Sequence, residues 1–512
     1  MRVSVRRATR TRSETAKFCK SKPAVCGGCN SPAKTPEGER KSMPAQVPTQ
    51  PDYDAKELWR QDKDHLIHPF THFPSFEKEG SLVISKGRGA YVFDVDGKRY
   101  LDGIAGIWCV NIGHGNAEMA DTLAEQARRL SFFNTFVDTT NPPAAQLAAK
   151  LAGLAPAHLN RVFFDTGGSA ANDTAVRIIH FYFNRLGMHS KKKLISRVDA
   201  YHGSSYLTMA LTGIREDHEG FDLPEGLVDY VSCPNPYRRP AGTTIDEYCD
   251  QLVDELEAKI LELGPENVAA FFAEPIMGAG GVIVPPPGYH RRTQDVCHRY
   301  GVLYVSDEVV TGFGRLGHMF ASEPMFDLSP DVITSAKGIT SGYIPLGASI
   351  FSDQIYEVIS RPEPGRDWFN HGFTYSGHPI CCAAALKNIE IIERDRICEH
   401  VREIGPYFEK QLARLESMPL VGDVRGSHFM LCVEAVANKQ TKELLPEEVG
   451  IGKRISDHCE KRGLIVRPLG HLNVISPPLT LTREEIDKLV EILKTSIEAT
   501  ADDLVREGIR ID

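Results

Sequence analysis

The chain has 512 residues, of which 42% are hydrophobic and 25% charged, and a net charge of −9. That length exceeds what one core supports, so two large lobes or two to three domains are expected. The composition is that of an ordinary soluble globular protein. No uninterrupted apolar run has the length a membrane helix needs, and the acidic balance gives no general reason to expect nucleic-acid binding.

The charge is unevenly spread. Residues 1–42 hold 11 Lys and Arg against 3 Asp and Glu, a local +8 that leaves −17 on the remainder. Arg- and Ser-rich, acid-poor starts resemble organelle transit peptides, yet this one lacks the bulky apolar residues of an amphipathic face. Met43 then opens an ordinary enzyme-like start. Residues 1–50 are therefore read as a dispensable extension and the compartment as cytoplasmic, with organelle targeting by residues 1–42 as the alternative. Cys26 and Cys29 have zinc-knuckle spacing but supply half a site at best. His65, His68 and His72 read as loop residues near an entrance, because Pro69 interrupts any helix that would align them. No metal is expected. With 12 Cys and no secretion signal, reduced thiols are the natural reading.

Gly89–Leu101 has two short alternating runs joined through Asp96-Gly97, a hairpin. Helical periodicity begins at Ala117 and again over Pro142–Leu154. Strands and helices then alternate: strand Arg161–Phe164, helix Ala170–Leu186, strand Lys193–Arg197, helix Ile245–Leu263, strand Val268–Phe272, helix Tyr289–Tyr300. Two further strands contain Val302–Val305 and Val332-Ile333. Long helices return at Ile380–Arg394 and Ile397–Leu415, followed by short strands at Phe429–Glu434 and Asn473–Ile475 and a last helix from Arg483. This alternation predicts an α/β fold with a mainly parallel sheet covered by helices. The expected organisation is a large domain over 106–370 flanked by a small α/β domain from both chain ends, 51–105 and 371–512.

The strand Val302–Val305 runs into Asp307, and the strand Val332-Ile333 ends at Lys337 in a Gly- and Ser-rich turn. Loops beyond the carboxyl ends of such strands are where open α/β sheets hold ligands. A carboxylate and an amine on two such ends suit pyridoxal 5′-phosphate (PLP), whose aldehyde takes a lysine and whose pyridine nitrogen takes an acid. A phosphate cup is available in Phe163-Phe164-Asp165-Thr166-Gly167-Gly168-Ser169, a strand running through glycines into a helix N-terminus. Tyr201-His202-Gly203 follows the next strand, where a ring could cover the pyridine face. Glu274-Pro275-Ile276-Met277-Gly278 follows the strand after that. All of these motifs would gather on one sheet edge.

Taken in order, AGIWCVNIGHG, FFDTGGSAANDTAVR, YHGSS, AEPIMGAGGVIVPP, SDEVVTGFGRLG, SAKGITSGYIPLG and HGFTYSGHP resemble the class III aminotransferases, PLP enzymes of fold type I. The resemblance spans roughly Leu66 to Leu493 and is strongest to ω-transaminases that use amines or ω-amino acids, diamines and β-alanine among them, with pyruvate. It implies that Lys337 is the Schiff-base lysine, Asp307 the partner of the pyridine nitrogen and Tyr201 the ring-stacking residue. Gly168 and Ser169 would meet the phosphate, with Glu274 and Val309 also at the cofactor. Thr374 would cross a dimer interface to the neighbour's phosphate, so a homodimer is implied, with a tetramer as the larger alternative. Trp108 and Phe136 match aromatic positions lining the substrate pocket. Arg467 matches a mobile arginine that clamps the acceptor's carboxylate.

The phosphate turn departs from that family's Ser-Gly-Ser-Glu-Ala. Gly167 removes a hydroxyl and Ala170 a carboxylate, but backbone amides carry most of an anion cup, so cofactor binding should survive. The expected reaction is ping-pong amino transfer from an amine or ω-amino acid to pyruvate or a similar oxo acid. Decarboxylation or an intramolecular amino shift is the alternative within PLP chemistry. A catalytically dead binding protein is the rival outside it, disfavoured because Lys337 and Asp307 are both present.

Overall fold

A computed structural model describes residues 53–365 and 367–511. The basic extension, with Cys26 and Cys29, lies outside the described residues. No described helix is long and apolar enough to cross a membrane.

A seven-stranded sheet organises the chain: β1 (Leu159–Asp165), β2 (Lys193–Arg197), β3 (Val228–Val231), β4 (Val268–Ala273), β5 (Leu303–Asp307), β6 (Val332–Ser335) and β7 (Gly347–Ser352). The order across the sheet is β1-β7-β6-β5-β4-β2-β3. The pairs β2·β3, β2·β4, β4·β5 and β5·β6 are parallel. Every residue of β4 and β5 is buried, as covered central strands require.

The expected mainly parallel sheet is therefore found, with one exception. Strand β7 runs antiparallel to both β6 and β1. The link from Ser335 to Gly347 is too short for a covered crossover, so the chain doubles back instead. Gly347 pairs with Asp165. A side chain at Gly347 would lie 2.5 Å from the Gly167 carbonyl oxygen, so the missing Cβ lets two backbones meet beneath the glycine turn.

Helices cover the sheet where the sequence periodicity places them. The helix Ile245–Leu263 opens with a capping box between Thr244 and Glu247 and buries Leu252, Leu256 and Ile260. Thr482 and Glu485 form the same device at the start of Arg483–Arg506. Two small sheets draw on the chain ends. Ile84–Arg88, Tyr91–Asp94 and Arg99–Asp102 form an antiparallel meander that Leu464–Ile465 extends in parallel. The other contains Val421–Ser427, Met430–Ala435, Leu472–Ile475 and Arg467–Leu469.

The histidine trio requires a correction. His65 closes a helix, Ala55–His65, capped by Asp54, and His72 is the N-cap position of a second helix, Phe73–Glu79. His68 and His72 lie outside the helices, as expected, and His68 Nε2 lies 2.9 Å from Asp62 Oδ1. Pro69 separates the helices rather than abolishing them.

Candidate active site

The carboxyl ends of β1, β2, β4, β5 and β6 converge on a cavity of about 1240 Å³. Lys337, Asp307, Tyr201, Trp108 and Arg467 line it together. Gly168, Ser169, Glu274 and Val309 do so as well.

Lys337 stands two residues beyond β6 with φ 45°, and its Nζ lies 5.9 Å from the centre of the Trp108 ring. Trp108 also has a positive φ, 59°. Left-handed backbone at non-glycine residues costs of order 1–3 kcal/mol each and persists where the surroundings over-determine it. In the turn that leads to Trp108, the Asp102 carboxylate receives Ile104 N (3.2 Å), Gly106 N (2.8 Å) and His114 Nε2 (2.8 Å), and Trp108 N donates to the Ile104 carbonyl at 2.8 Å.

Asp307 closes β5 and is almost fully buried. Its Oδ2 accepts from Asn172 Nδ2 at 2.7 Å and His202 Nδ1 at 2.8 Å, and its Oδ1 accepts from the Val309 amide at 3.0 Å. His202 Nε2 is buried with no hydrogen-bond partner. The Tyr201 hydroxyl lies 2.8 Å from Ser204 Oγ, and its amide donates to Glu274 Oε1 at 3.1 Å. Glu274 Oε2 receives the Gly278 amide at 2.7 Å. Both Glu274 oxygens are thus spent on backbone donors, so this residue fixes the Tyr201 loop from the cavity wall. Burial pushes the Glu274 carboxyl up from its ordinary value, with His202 opposing and Asp307 reinforcing that shift.

Between β1 and the helix Gly168–Arg185 lies the glycine turn. Gly167 is the N-cap residue and offers no side-chain cap, so the first helical N–H groups have no intrahelical acceptor. A Cβ on Gly168 would stand 3.0 Å from Val309 Cγ1. Gly203, at φ 137°, would place a Cβ 2.6 Å from Ser169 Oγ. Gly203 therefore requires bare backbone, and Gly168 leaves little room for a side chain beside Val309. Ser169 Oγ accepts from the Ser204 amide at 3.1 Å and keeps its own proton to donate.

Arg467 begins the strand Arg467–Leu469, and its guanidinium carbon lies 5.8 Å from the Trp108 ring centre. Its Nε is buried without a hydrogen-bond partner, and no ion pair to it occurs among the described residues. Burial pushes its pKa down, while Tyr201 and Asp217 pull the other way.

Phe136 and Thr374 stand elsewhere. Phe136 was expected to line the pocket, but it does not line the cavity of its own chain and is 45% exposed. Its loop is tied to the segment 371–378, through Thr135 Oγ1 to the Ser376 carbonyl (3.0 Å) and Asn141 Nδ2 to the Gly377 carbonyl (2.9 Å). That tether holds the ring at the surface beside Gly372. Thr374 is exposed in the same segment and does not line the cavity either.

Residues 75–497 match the family model of the class-III aminotransferases. The chain belongs to that family. It is 40% identical over 440 residues to putrescine–pyruvate aminotransferase of Pseudomonas aeruginosa, covering 86% of this chain and 95% of that one. Among solved structures it resembles an (S)-enantioselective ω-transaminase from Thermomicrobium roseum, with a TM-score of 0.85, 42% identity, and 88% and 99% of the two chains covered. The ω-transaminase of Pseudomonas jessenii in complex with PMP matches with a TM-score of 0.85 and 36% identity, over 88% and 99% of the chains. This class-III enzyme is thus a PLP-dependent aminotransferase of fold type I.

The residues present fit that cofactor. Asp307 is held by three donors, the glycine turn leaves the first helical N–H groups without a side-chain cap beside the cavity, and Lys337 lines the same cavity. Sequence reasoning missed Asn172 and His202, which hold Asp307, and Asp102, which ties down the turn before Trp108. Asn172 and His202 each stand beside a residue already singled out, but their role needs the fold to bring β1, β2 and β5 together.

Proposed function

We propose that this aminotransferase transfers an amino group from a primary amine or ω-amino acid to pyruvate by a ping-pong cycle in which one cavity serves both partners in turn. The observation that carries this reading is the unpaired Arg467 guanidinium in the same cavity as Lys337 and Asp307. A guanidinium without a counter-charge suits a substrate carboxylate, which it can grip bidentately.

Bound PLP supplies the electron sink. Asp307, oriented by His202 and Asn172, holds the proton at the pyridine nitrogen. The Lys337 amine, once free, accepts the proton from the donor carbon that bears the nitrogen. Tyr201, fixed through Glu274 and Ser204, would cover the cofactor ring, and Val309, which lines the same cavity, would help to hold it. Gly168 and Ser169 would hold its phosphate. Trp108 bounds the substrate space, and Arg467 binds the oxo acid's carboxylate.

Thr374 and Phe136 belong to a second copy's site in this reading. Phe132, Phe133, Phe136 and Tyr375 are all exposed, an apolar face that supports a homodimer. A tetramer would add further contacts. The cytoplasm is the proposed compartment, in keeping with the nine free thiols among the described residues.

The test is the visible absorption of the purified protein. Amine donor alone should bleach it and pyruvate restore it, over a panel of mono-amines, diamines and ω-amino acids. Lys337→Ala should remain folded and lose this response; a variant that still turns over would refute the assignment.

A further inference from the structure

Two tethers bracket Thr374. The far one, from Thr135 and Asn141 to the carbonyls of Ser376 and Gly377, fixes the segment 371–378 behind the threonine. The near one starts at the glycine turn. Asp165 closes β1 immediately before Thr166-Gly167-Gly168 and is 1% exposed. Its Oδ1 lies 2.6 Å from Thr174 Oγ1, and the same hydroxyl lies 3.0 Å from His371 Nε2. Its Oδ2 lies 3.1 Å from Ser349 Oγ, which is 2.9 Å from the Ala171 carbonyl oxygen. The His371 ring stacks on Phe163 of β1, with centres 5.1 Å apart and planes 17° apart. A buried acid at the glycine turn is thus joined through one threonine to the segment that carries Thr374.

Counting protons orders this chain. Burial pushes the Asp165 carboxyl up to about 8, with Asp173 adding to the shift, so near neutrality the acid keeps its proton. Each Ser or Thr hydroxyl donates once, and a carbonyl only accepts. The Ser349 proton goes to the nearer Ala171 carbonyl, so Asp165 donates from Oδ2 to Ser349 Oγ; only an ionised Asp165 would turn that hydroxyl round. Asp165 Oδ1 then accepts from Thr174, and Thr174 accepts from His371 Nε2. Burial pushes His371 down to about 4, with Arg177 adding to the shift, so the ring is neutral and this bond selects its Nε2–H tautomer. Every donor in the chain is used once. The amino-transfer cycle uses none of Asp165, Thr174 and His371.

We infer that Asp165, acting through Thr174 and His371, is the positioning residue that registers the segment bearing Thr374 against the glycine turn. It thereby sets where that threonine is presented to a second copy. This rests on the reading of Thr374 as the residue that reaches the second copy's cofactor. Asp165 touches no reacting atom, and Thr374, exposed three residues beyond His371, carries its effect.

Two variants break the chain from different elements: Thr174→Val, which keeps the shape, and His371→Phe, which keeps a ring against Phe163. The full-length PLP-loaded protein is read by its rate of PLP loss on dialysis and by its dimer dissociation constant from sedimentation. Each variant should lose PLP roughly three- to tenfold faster, the range of one hydrogen bond, and weaken the dimer by a similar factor. The double variant should be no worse than either single one, because both break the same link. Asp165→Asn keeps an acceptor toward Thr174 and a donor toward Ser349, so it should match the parent in both readouts, whereas Asp165→Ala should match Thr174→Val. A lowered Tm with parent-like PLP loss and dimerisation would make the chain merely structural and overturn the inference. Additive effects of Thr174→Val and His371→Phe, or Asp165→Asn behaving as Asp165→Ala, would overturn it too. Thr374→Ala separates this inference from the reading beneath it. If that variant retains PLP like the parent, the cross-interface reading falls and the inference with it. If it speeds PLP loss while Thr174→Val and His371→Phe do not, only the inference falls.

Discussion

His202 Nδ1 lies 2.8 Å from Asp307 Oδ2, and both side chains are almost fully buried. A carboxylate only accepts, so the imidazole must carry its proton on Nδ1, which leaves Nε2 without a donor in a closed environment. The histidine gives up one hydrogen bond in order to aim the acid. His202→Ala should therefore lower kcat/KM about tenfold, the size of a lost hydrogen bond to a charged group, with only a modest drop in Tm. Unchanged kinetics would show that Asn172 and the Val309 amide suffice.

The strands that carry Asp307 and Lys337 are legible because buried parallel strands are unbroken apolar runs, and the turns after them stand out in Gly and Ser. Strand β7 is not legible: Gly-Ala-Ser-Ile-Phe-Ser is short, begins with three small residues and reads as part of the Lys337 turn. The loop bearing Asp217 is polar and aperiodic, so nothing in the sequence separates it from any surface loop. Resemblance gives Phe136 a place on a pocket wall, but its position outside the cavity of its own chain is not legible, because its loop is tied to Ser376 and Gly377, more than 200 residues away in sequence.

The weakened phosphate turn should be open to repair. Gly167 has extended backbone (φ 167°), and a Cβ at this position would meet no atom within 4 Å, so serine fits without strain. Gly167→Ser should slow PLP loss on dialysis by roughly tenfold, as expected for one added hydrogen bond to a charged group. Faster loss would mean that the extra hydroxyl displaces a backbone donor.

Asp165 predicts a pH signature of stability. Burial pushes its carboxyl up to about 8, while hydrogen bonds from Thr174 (2.6 Å) and Ser349 (3.1 Å) oppose the shift. The unfolded chain ionises this group near the ordinary aspartate value, whereas the folded chain holds it protonated. The folded state therefore loses stability as pH rises from about 4 to about 8, by of order 1.4 kcal/mol per unit at most, and the loss then levels off. Asp165→Asn has no such dependence. Its Tm relative to the parent should climb between pH 6 and pH 8 and stay flat beyond, which thermal melts across that range would reveal. A constant difference would assign Asp165 an ionised state throughout.

Arg467→Ala separates the half-reactions. The guanidinium carbon lies 5.8 Å from the Trp108 ring centre, and burial already presses the group toward neutrality. A substrate carboxylate relieves that pressure by pairing with it, so removing the arginine should weaken the pyruvate half-reaction by about 1.5–3 kcal/mol. An amine donor makes no such contact, and its half-reaction should hold or improve slightly because no cation must be moved aside. An ω-amino acid, with an amine to react and a carboxylate to anchor, should lose affinity as pyruvate does. Single-turnover absorbance with a mono-amine, an ω-amino acid and pyruvate measures all three. Equal losses across them would mean that Arg467 supports the Trp108 wall rather than a substrate carboxylate, and the dual-specificity reading would be withdrawn.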